Sequence, residues 1–203
     1  MSSPRRGAFI VFEGGEGCGK STQATELAHH LGALLTREPG GTPVGERIRD
    51  QVLHSPATIT PRAEVLLFLA ARAQHVDEVI LPALERGRDV VCDRFSGSTI
   101  AYQGWGRGLD SAGFRESVAW AAAGVRPDLT VLLQLDAEEA RRRMGAPGDR
   151  IESEDLDFHR RVDDGFRHVA AEEPGWVTVD ASGAVEEVAA RVRDAVRRWQ
   201  EAQ

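Results

Sequence analysis

The sequence predicts an α/β fold, a parallel sheet covered by helices. Short apolar runs rich in β-branched residues alternate with longer stretches of helical periodicity, the pattern of strand–helix–strand crossovers. A glycine-rich loop joins the first such strand to the first helix, and no internal repeat or low-complexity linker interrupts the 203 residues. At 41% hydrophobic content a chain of this length buries a sizeable core, so one domain over 1–203 is expected.

The strand candidates are 8–13 (AFIVFE), 33–36, 89–92 (DVVC), 129–135 (LTVLLQL) and 176–179 (WVTV). Helical periodicity fills the gaps at 21–31, 43–53, 62–86, 111–123, 137–144, 152–171 and 184–200, with Pro82 expected to kink or split the third. In open sheets of this kind ligands gather at the carboxyl ends of the strands. The residues after each strand are therefore the informative ones.

After the first strand comes Gly14-Gly15-Glu16-Gly17-Cys18-Gly19-Lys20-Ser21, and Lys20 is the only lysine among 25 basic residues. A chain that uses arginine elsewhere keeps lysine where a guanidinium does not fit. The spacing is that of a phosphate-binding loop, in which successive backbone N–H groups wrap the phosphates of a nucleoside triphosphate. Glycines permit the close approach and the positive φ values. Lysine brings a compact charge to the β and γ phosphates, Ser21 is a candidate magnesium ligand, and the helix behind the loop points its N-terminus at the anion. Glu16 is electrostatically odd there, since its carboxylate repels phosphate unless a cation or a sugar hydroxyl compensates.

The second strand is followed by Thr36-Arg37-Glu38-Pro39-Gly40-Gly41-Thr42, and the third by Asp93-Arg94-Phe95, where an acid able to reach magnesium precedes a cation. Alone, Asp-Arg at a strand end reads as a surface salt bridge; beside a phosphate loop it reads as part of a site. A net charge of −7 argues against a protein that holds DNA or RNA over a broad face, while leaving room for a small phosphorylated ligand. No apolar run is long enough to span a bilayer and the N-terminus lacks a signal-peptide core, so a cytoplasmic protein is expected. Cys18 and Cys92 are too few for a disulfide scaffold and are read as reduced, and the six histidines, without zinc-ligand spacing, as mostly solvated.

The ordered set FEGGEGCGKST (12–22), TREPGGT (36–42), LLFLAAR (66–72), DRF (93–95), STIAYQG (98–104) and RPDLTVLLQLD (126–136) resembles the bacterial thymidylate kinases through about two-thirds of the chain. The resemblance implies a three-layer P-loop NTPase fold with a five-stranded parallel sheet and a short lid near 141–150. It implies transfer of the γ-phosphoryl group of ATP to dTMP with magnesium, and a homodimer. Carried over by residue, Gly14 through Thr22 and Arg143 would bind ATP. Phe68 would stack on thymine, with Arg72 one helical turn on hydrogen-bonding a base carbonyl. Glu38, Pro39, Arg49, Ser98, Thr99, Tyr102 and Gln103 would complete the dTMP site. Arg94 would hold the acceptor phosphate, Asp93 would act with Ser21 at magnesium, and Glu16 would touch the sugar or organise the arginines. Cys18 departs from the small residue usual at its place.

Phosphoryl transfer needs alignment and charge neutralisation more than covalent chemistry. Lys20 and Arg94 are expected on opposite sides of the transferring group, and a lid arginine is expected to close over ATP, Arg150 first and Arg143 second. The alternative is another P-loop nucleoside or nucleotide kinase; a nucleoside kinase would need a general base for its uncharged hydroxyl. A GTPase is excluded, because its Asn-Lys-x-Asp guanine motif needs a second lysine. A non-catalytic nucleotide-binding module is the third reading.

Overall fold

The computed structural model describes residues 6–145 and 148–203; of the expected lid, 146–147 lie outside the described residues. Five strands, β1 (Phe9–Glu13), β2 (Leu34–Arg37), β3 (Val90–Asp93), β4 (Leu129–Gln134) and β5 (Trp176–Asp180), form one sheet in the order β2-β3-β1-β4-β5. Every pairing is parallel. Each strand end lies within one residue of its sequence expectation. β1 is buried throughout, as a central strand covered on both faces must be.

Alternation along β1 divides the core. Ile10 and Phe12 pack with Leu27 of α1 (Lys20–Leu31) and Val192 of the C-terminal helix (Val185–Glu201). Phe9 and Val11 point the other way, onto Val76, Ile80 and Leu84. β1 lies between β3 and β4, so chain connections leave it in opposite directions and open a crevice at its carboxyl end. The glycine-rich loop fills that crevice.

α2 (Pro43–His54) begins on a Thr42 cap whose side chain accepts from the Gly45 N–H, with Pro43 at the first helical position. α3 (Pro61–His75) runs into a π-helical stretch, Val76–Ile80, and on into α4 (Leu81–Glu85). The chain therefore stays helical across the expected 62–86 range, and the disturbance expected at Pro82 takes the form of the π-helical stretch just ahead of it. The wider π turn just ahead accommodates the proline ring and its missing N–H.

The sequence reading assigned no helix to 96–106, yet this segment is helical. α5 (Ser96–Thr99) continues as a π-helical stretch, Ile100–Gly106, packed on α8 (Leu156–Glu172). Its glycines disguise it, and packing explains them: a Cβ on Gly106 would lie 2.7 Å from Phe158 Cε2. α6 (Ala112–Ala121) and α7 (Ala137–Met144) follow their expected ranges, and the C-terminal helix is α9. α8 starts at Leu156 instead of near 152, because Asp155 caps it through the Phe158 N–H and Asp149 holds 149–152 as a turn.

Candidate active site

The loop between β1 and α1 is shaped by its backbone. Gly14 has a φ of 141°, and a Cβ there would sit 2.5 Å from the Leu133 carbonyl oxygen. Gly19, in the left-handed region, caps α1 without a side-chain bond, and no acid stands in the first helical turn. The N–H groups at that end are thus left to an anion. Lys20 Nζ folds back to donate to the Gly15 carbonyl at 2.6 Å. Cys18 Sγ is buried against the same carbonyl, 3.1 Å away. Ser21 Oγ donates to Asp93 Oδ2 at 2.5 Å across the β1–β3 boundary, and Asp93 Oδ1 is buried with no hydrogen-bond partner among the described residues.

Arg94 turns the chain at the end of β3 with a φ of 70°, a conformation costly for a residue with a Cβ. Its N–H is held by the Phe12 carbonyl at 2.9 Å. The turn sends its guanidinium back over the loop. Nη1 donates to Gly14 O at 3.2 Å and Ser98 Oγ at 3.0 Å, and Nη2 donates to Glu16 Oε1 at 2.6 Å. Tyr102 also donates to Glu16 Oε1, at 2.7 Å, and its ring centroid lies 5.0 Å from the guanidinium carbon. Burial alone would raise the Glu16 carboxyl, but Arg94, Lys20 and the Tyr102 hydroxyl outweigh it and hold it down to about 2. Glu16 is therefore ionised and belongs to the arginine, not to the phosphates.

A second network starts at Glu38, which is buried after β2. Its Oε2 accepts from Arg72 Nε at 2.8 Å and its Oε1 faces His75 Nδ1 at 3.1 Å. Arg72 Nη2 donates to Thr99 Oγ1 at 3.0 Å, which leaves Nη1 buried and unpartnered among the described residues. His75, expected to be solvated, is instead fully buried, its Nε2 2.6 Å from Thr36 Oγ1.

The two networks share one cavity of about 380 Å³. Glu16, Gly17, Gly19, Lys20, Ser21 and Thr22 line it from the loop side. Glu38, Pro39, Asp93 and Arg94 close it at the strand ends, and Arg49, held by the Pro39 carbonyl at 3.0 Å, enters from α2. Phe68 and Arg72 reach it from α3, and Ser98, Thr99, Tyr102 and Gln103 from the 96–106 helix. Burial and the neighbouring Arg37 weaken the proton affinity of Arg49, with Arg94 adding to the effect. Cations so crowded favour an anion among them.

Five expected residues do not line that cavity: Gly14, which shapes the loop from behind, and four that lie elsewhere. Gly15 and Cys18 face a smaller cavity of about 120 Å³ toward α7 and α8. Arg143 donates to Glu139 and to the carbonyls of Ala181 and Gly183, beyond β5. Asp149, Ile151 and Glu152 line the main cavity, whereas Arg150 turns to Glu64 Oε2 at 2.6 Å and the Val52 carbonyl at 3.1 Å.

Sequence reasoning missed two buried acids. Glu13 ends β1 and collects the N–H groups of Phe95 (2.9 Å) and Ser98 (3.0 Å) on Oε1 and the Ser98 hydroxyl (2.5 Å) on Oε2. Burial pushes its carboxyl up to about 7, against the opposing pull of the Ser98 hydroxyl and Arg94. Its signal was a charge closing an apolar strand. Glu64 stands one turn before Phe68 and two before Arg72, on the same face of α3, and that spacing was legible.

The family model described as thymidylate kinase matches residues 12–192. The chain belongs to the thymidylate kinase family. A thymidylate kinase from Leifsonia xyli subsp. xyli is 50% identical over 203 residues, covering 95% of this chain and 97% of that protein. One from Geobacter sp. strain M21 is 48% identical over 207 residues, covering 95% and 92%. The crystal structure of thymidylate kinase from Ehrlichia chaffeensis superposes with a TM-score of 0.78 at 30% identity, covering 94% of this chain and 99% of that one. The sheet order and loop described above are thus those of a three-layer P-loop kinase fold. Among the described residues no helix is long and apolar enough to cross a membrane.

Proposed function

We propose that this chain is a thymidylate kinase that transfers the γ-phosphoryl group of ATP to dTMP, giving dTDP and ADP. The observation that carries the reading is the single cavity joining the phosphate loop to the Phe68, Arg72 and Gln103 wall. Donor and acceptor would meet where Arg94 crosses between them.

ATP phosphates would lie on the free N–H groups at the start of α1, and Lys20 would leave the Gly15 carbonyl for the β and γ phosphates. Arg94, fixed by Glu16 and Tyr102, would hold the acceptor phosphate, with Arg49 beside it. On the base side Phe68 would stack on thymine, and the unpartnered Arg72 Nη1 would donate to a base carbonyl, recovering the hydrogen bond it lacks. Tyr102, with Thr99 and Ser98, would border the deoxyribose.

The donor set fits magnesium. Ser21 Oγ and the buried, unpartnered Asp93 Oδ1 stand together at the loop, and no group of three or more potential ligands forms a closed cage among the described residues. Magnesium held by one or two protein oxygens plus phosphates and water is the usual arrangement. When bound, it neutralises charge on the phosphate oxygens; alignment is the work of Lys20, Arg94 and the loop.

A lid arginine completes the reading. Arg150 would exchange Glu64 for the transferring phosphate as the 141–150 segment closes, with Arg143 the second candidate. We also infer a cytoplasmic homodimer. Leu66 on α3 is 66% exposed and Trp120 on α6 is 81% exposed, and α3 and α6 pack side by side. Two such side chains on adjoining helices suit a second copy of the chain.

Phosphorus NMR of a mixture of protein, magnesium-ATP and dTMP tests the activity. Growth of the dTDP signals at the expense of ATP is expected; ADP with no dTDP would refute the reading.

A further inference from the structure

Glu64 enters the mechanism above only as the partner that Arg150 would leave, yet it is fully buried and accepts four hydrogen bonds among the described residues. Its Oε1 receives Gln103 Nε2 at 2.8 Å and Arg107 Nε at 3.2 Å; its Oε2 receives Arg107 Nη2 at 3.1 Å and Arg150 Nη2 at 2.6 Å. Burial would favour its neutral form, but the bonds from Arg107, Gln103 and Arg150 prevail and hold its carboxyl below the usual range. An ionised carboxylate has no proton to give.

That chemistry settles the sense of the Gln103 amide. The two ends of a glutamine amide look alike in shape and are told apart by their partners. Facing an acceptor-only group, Gln103 must turn its NH₂ toward Glu64, which leaves the carbonyl oxygen as the end available to the cavity that Gln103 lines. Arg72, on the same wall, has only donors, and its Nη1 is the one without a partner. The wall therefore offers one donor and one acceptor in a fixed order.

We propose that Glu64 sets the base preference of the site, by fixing the Gln103 amide so that the cavity presents an acceptor there beside the Arg72 donor. The proposal rests on the dTMP reading above. Thymine and uracil carry a carbonyl at C4 and an N–H at N3, which match a donor and an acceptor. Cytosine carries an amino group at C4 and a bare nitrogen at N3, so both pairings oppose. Glu64 touches no substrate and is a positioning residue.

The test compares kcat/KM for dTMP, dUMP and dCMP in the wild type, Glu64→Gln and Gln103→Met. In Glu64→Gln the new amide keeps its carbonyl on Arg107 Nη2 and Arg150 Nη2 and turns its NH₂ to Gln103, giving up the Arg107 Nε bond. Gln103 then reverses and offers NH₂ to the base. A buried polar mismatch of this kind is worth about tenfold or more, so the dTMP:dCMP ratio is expected to fall by at least about tenfold, chiefly through KM for dTMP. The dTMP:dUMP ratio is expected to stay constant, since both bases show the same edge. Gln103→Met is expected to lower the dTMP:dCMP ratio similarly, and adding Glu64→Gln to it to lower that ratio no further.

A loss spread equally over all three acceptors, as general loosening would cause, overturns the proposal. So do additive effects in the double variant. A wild type that ignores dTMP would refute the kinase reading and the proposal with it, whereas a dTMP-selective wild type whose variants keep their selectivity refutes the Glu64 role alone. If Glu64→Gln does not fold, the side-chain amide of Gln103 in ¹⁵N-glutamine-labelled wild type, assigned with Gln103→Met, decides. Protection of its protons from exchange without nucleotide is expected; protection that arises only with dTMP would mean that the nitrogen faces the base.

Discussion

Replacing Glu13 with glutamine separates a buried charge from the geometry it supports. Glutamine can keep its carbonyl oxygen under the Phe95 and Ser98 N–H groups and place its NH₂ on the Ser98 hydroxyl, so the start of the 96–106 helix is retained. What disappears is a proton equilibrium. In the folded protein the Glu13 carboxyl is pushed up to about 7 by burial, against 4.5 for an ordinary glutamate. Between those values the native state holds a proton that the unfolded chain has released. Stability from this group is therefore full below about pH 4.5 and is lost as pH rises through about 7. At about 1.36 kcal/mol per pKa unit, the loss between pH 5 and pH 8 is on the order of 3 kcal/mol. Urea unfolding of both proteins across that range measures it. The wild type should lose on the order of 3 kcal/mol more than Glu13→Gln between pH 5 and pH 8, with unchanged m-values. Parallel stability profiles would show that Glu13 does not titrate in this window and would refute the reasoning.

Three further outcomes are expected. Lys20→Ala should lower kcat by about 10²–10³ or more while leaving the melting temperature nearly unchanged, since among the described residues Lys20 bonds only to Gly15 and Cys18 and its charge faces the cavity; a collapsed melting transition would show a structural role. Phe68→Ala should weaken dTMP binding by about 1–3 kcal/mol in calorimetry, the range for base–aromatic stacking, with ATP affinity held; equal loss of both would remove Phe68 from the base wall. Trp120→Asp should convert a dimer to a monomer in sedimentation velocity, and a wild type that sediments as a monomer at micromolar concentration would contradict the interface.

The sheet was legible because buried parallel strands are short apolar runs, and these five stand between helical stretches of different period. The phosphate loop was legible because its spacing and the lone lysine are local. Residues joined only by folding were harder. Nothing in the sequence signals that Glu13 and Ser98 meet, and helix propensity argues against SGSTIAYQGWG, whose glycines make room for Trp176 and Glu13 at Gly97, for Phe114 at Gly104 and for Phe158 of α8 at Gly106. Pro82 was legible as a disturbance of its helix, but not that a π-helical stretch just ahead of it would take up that disturbance. His75 is flanked in sequence by Gln74 and Val76, which say nothing of polar partners, but lies between Glu38 and Thr36 in space. Arg150 was read from its neighbours as a phosphate ligand; the fold gives it a carboxylate, Glu64, that it would exchange on closing.

The central claim is that one cavity brings ATP and dTMP together across Arg94. ADP release from magnesium-ATP, measured with dTMP, thymidine, dUMP, dCMP, dGMP or no acceptor and with Arg94→Ala alongside, tests it most directly. Strong release with dTMP, weak or absent with thymidine, and lost in the variant is the expected result. Release that ignores dTMP, that prefers thymidine, or that survives Arg94→Ala would contradict the account.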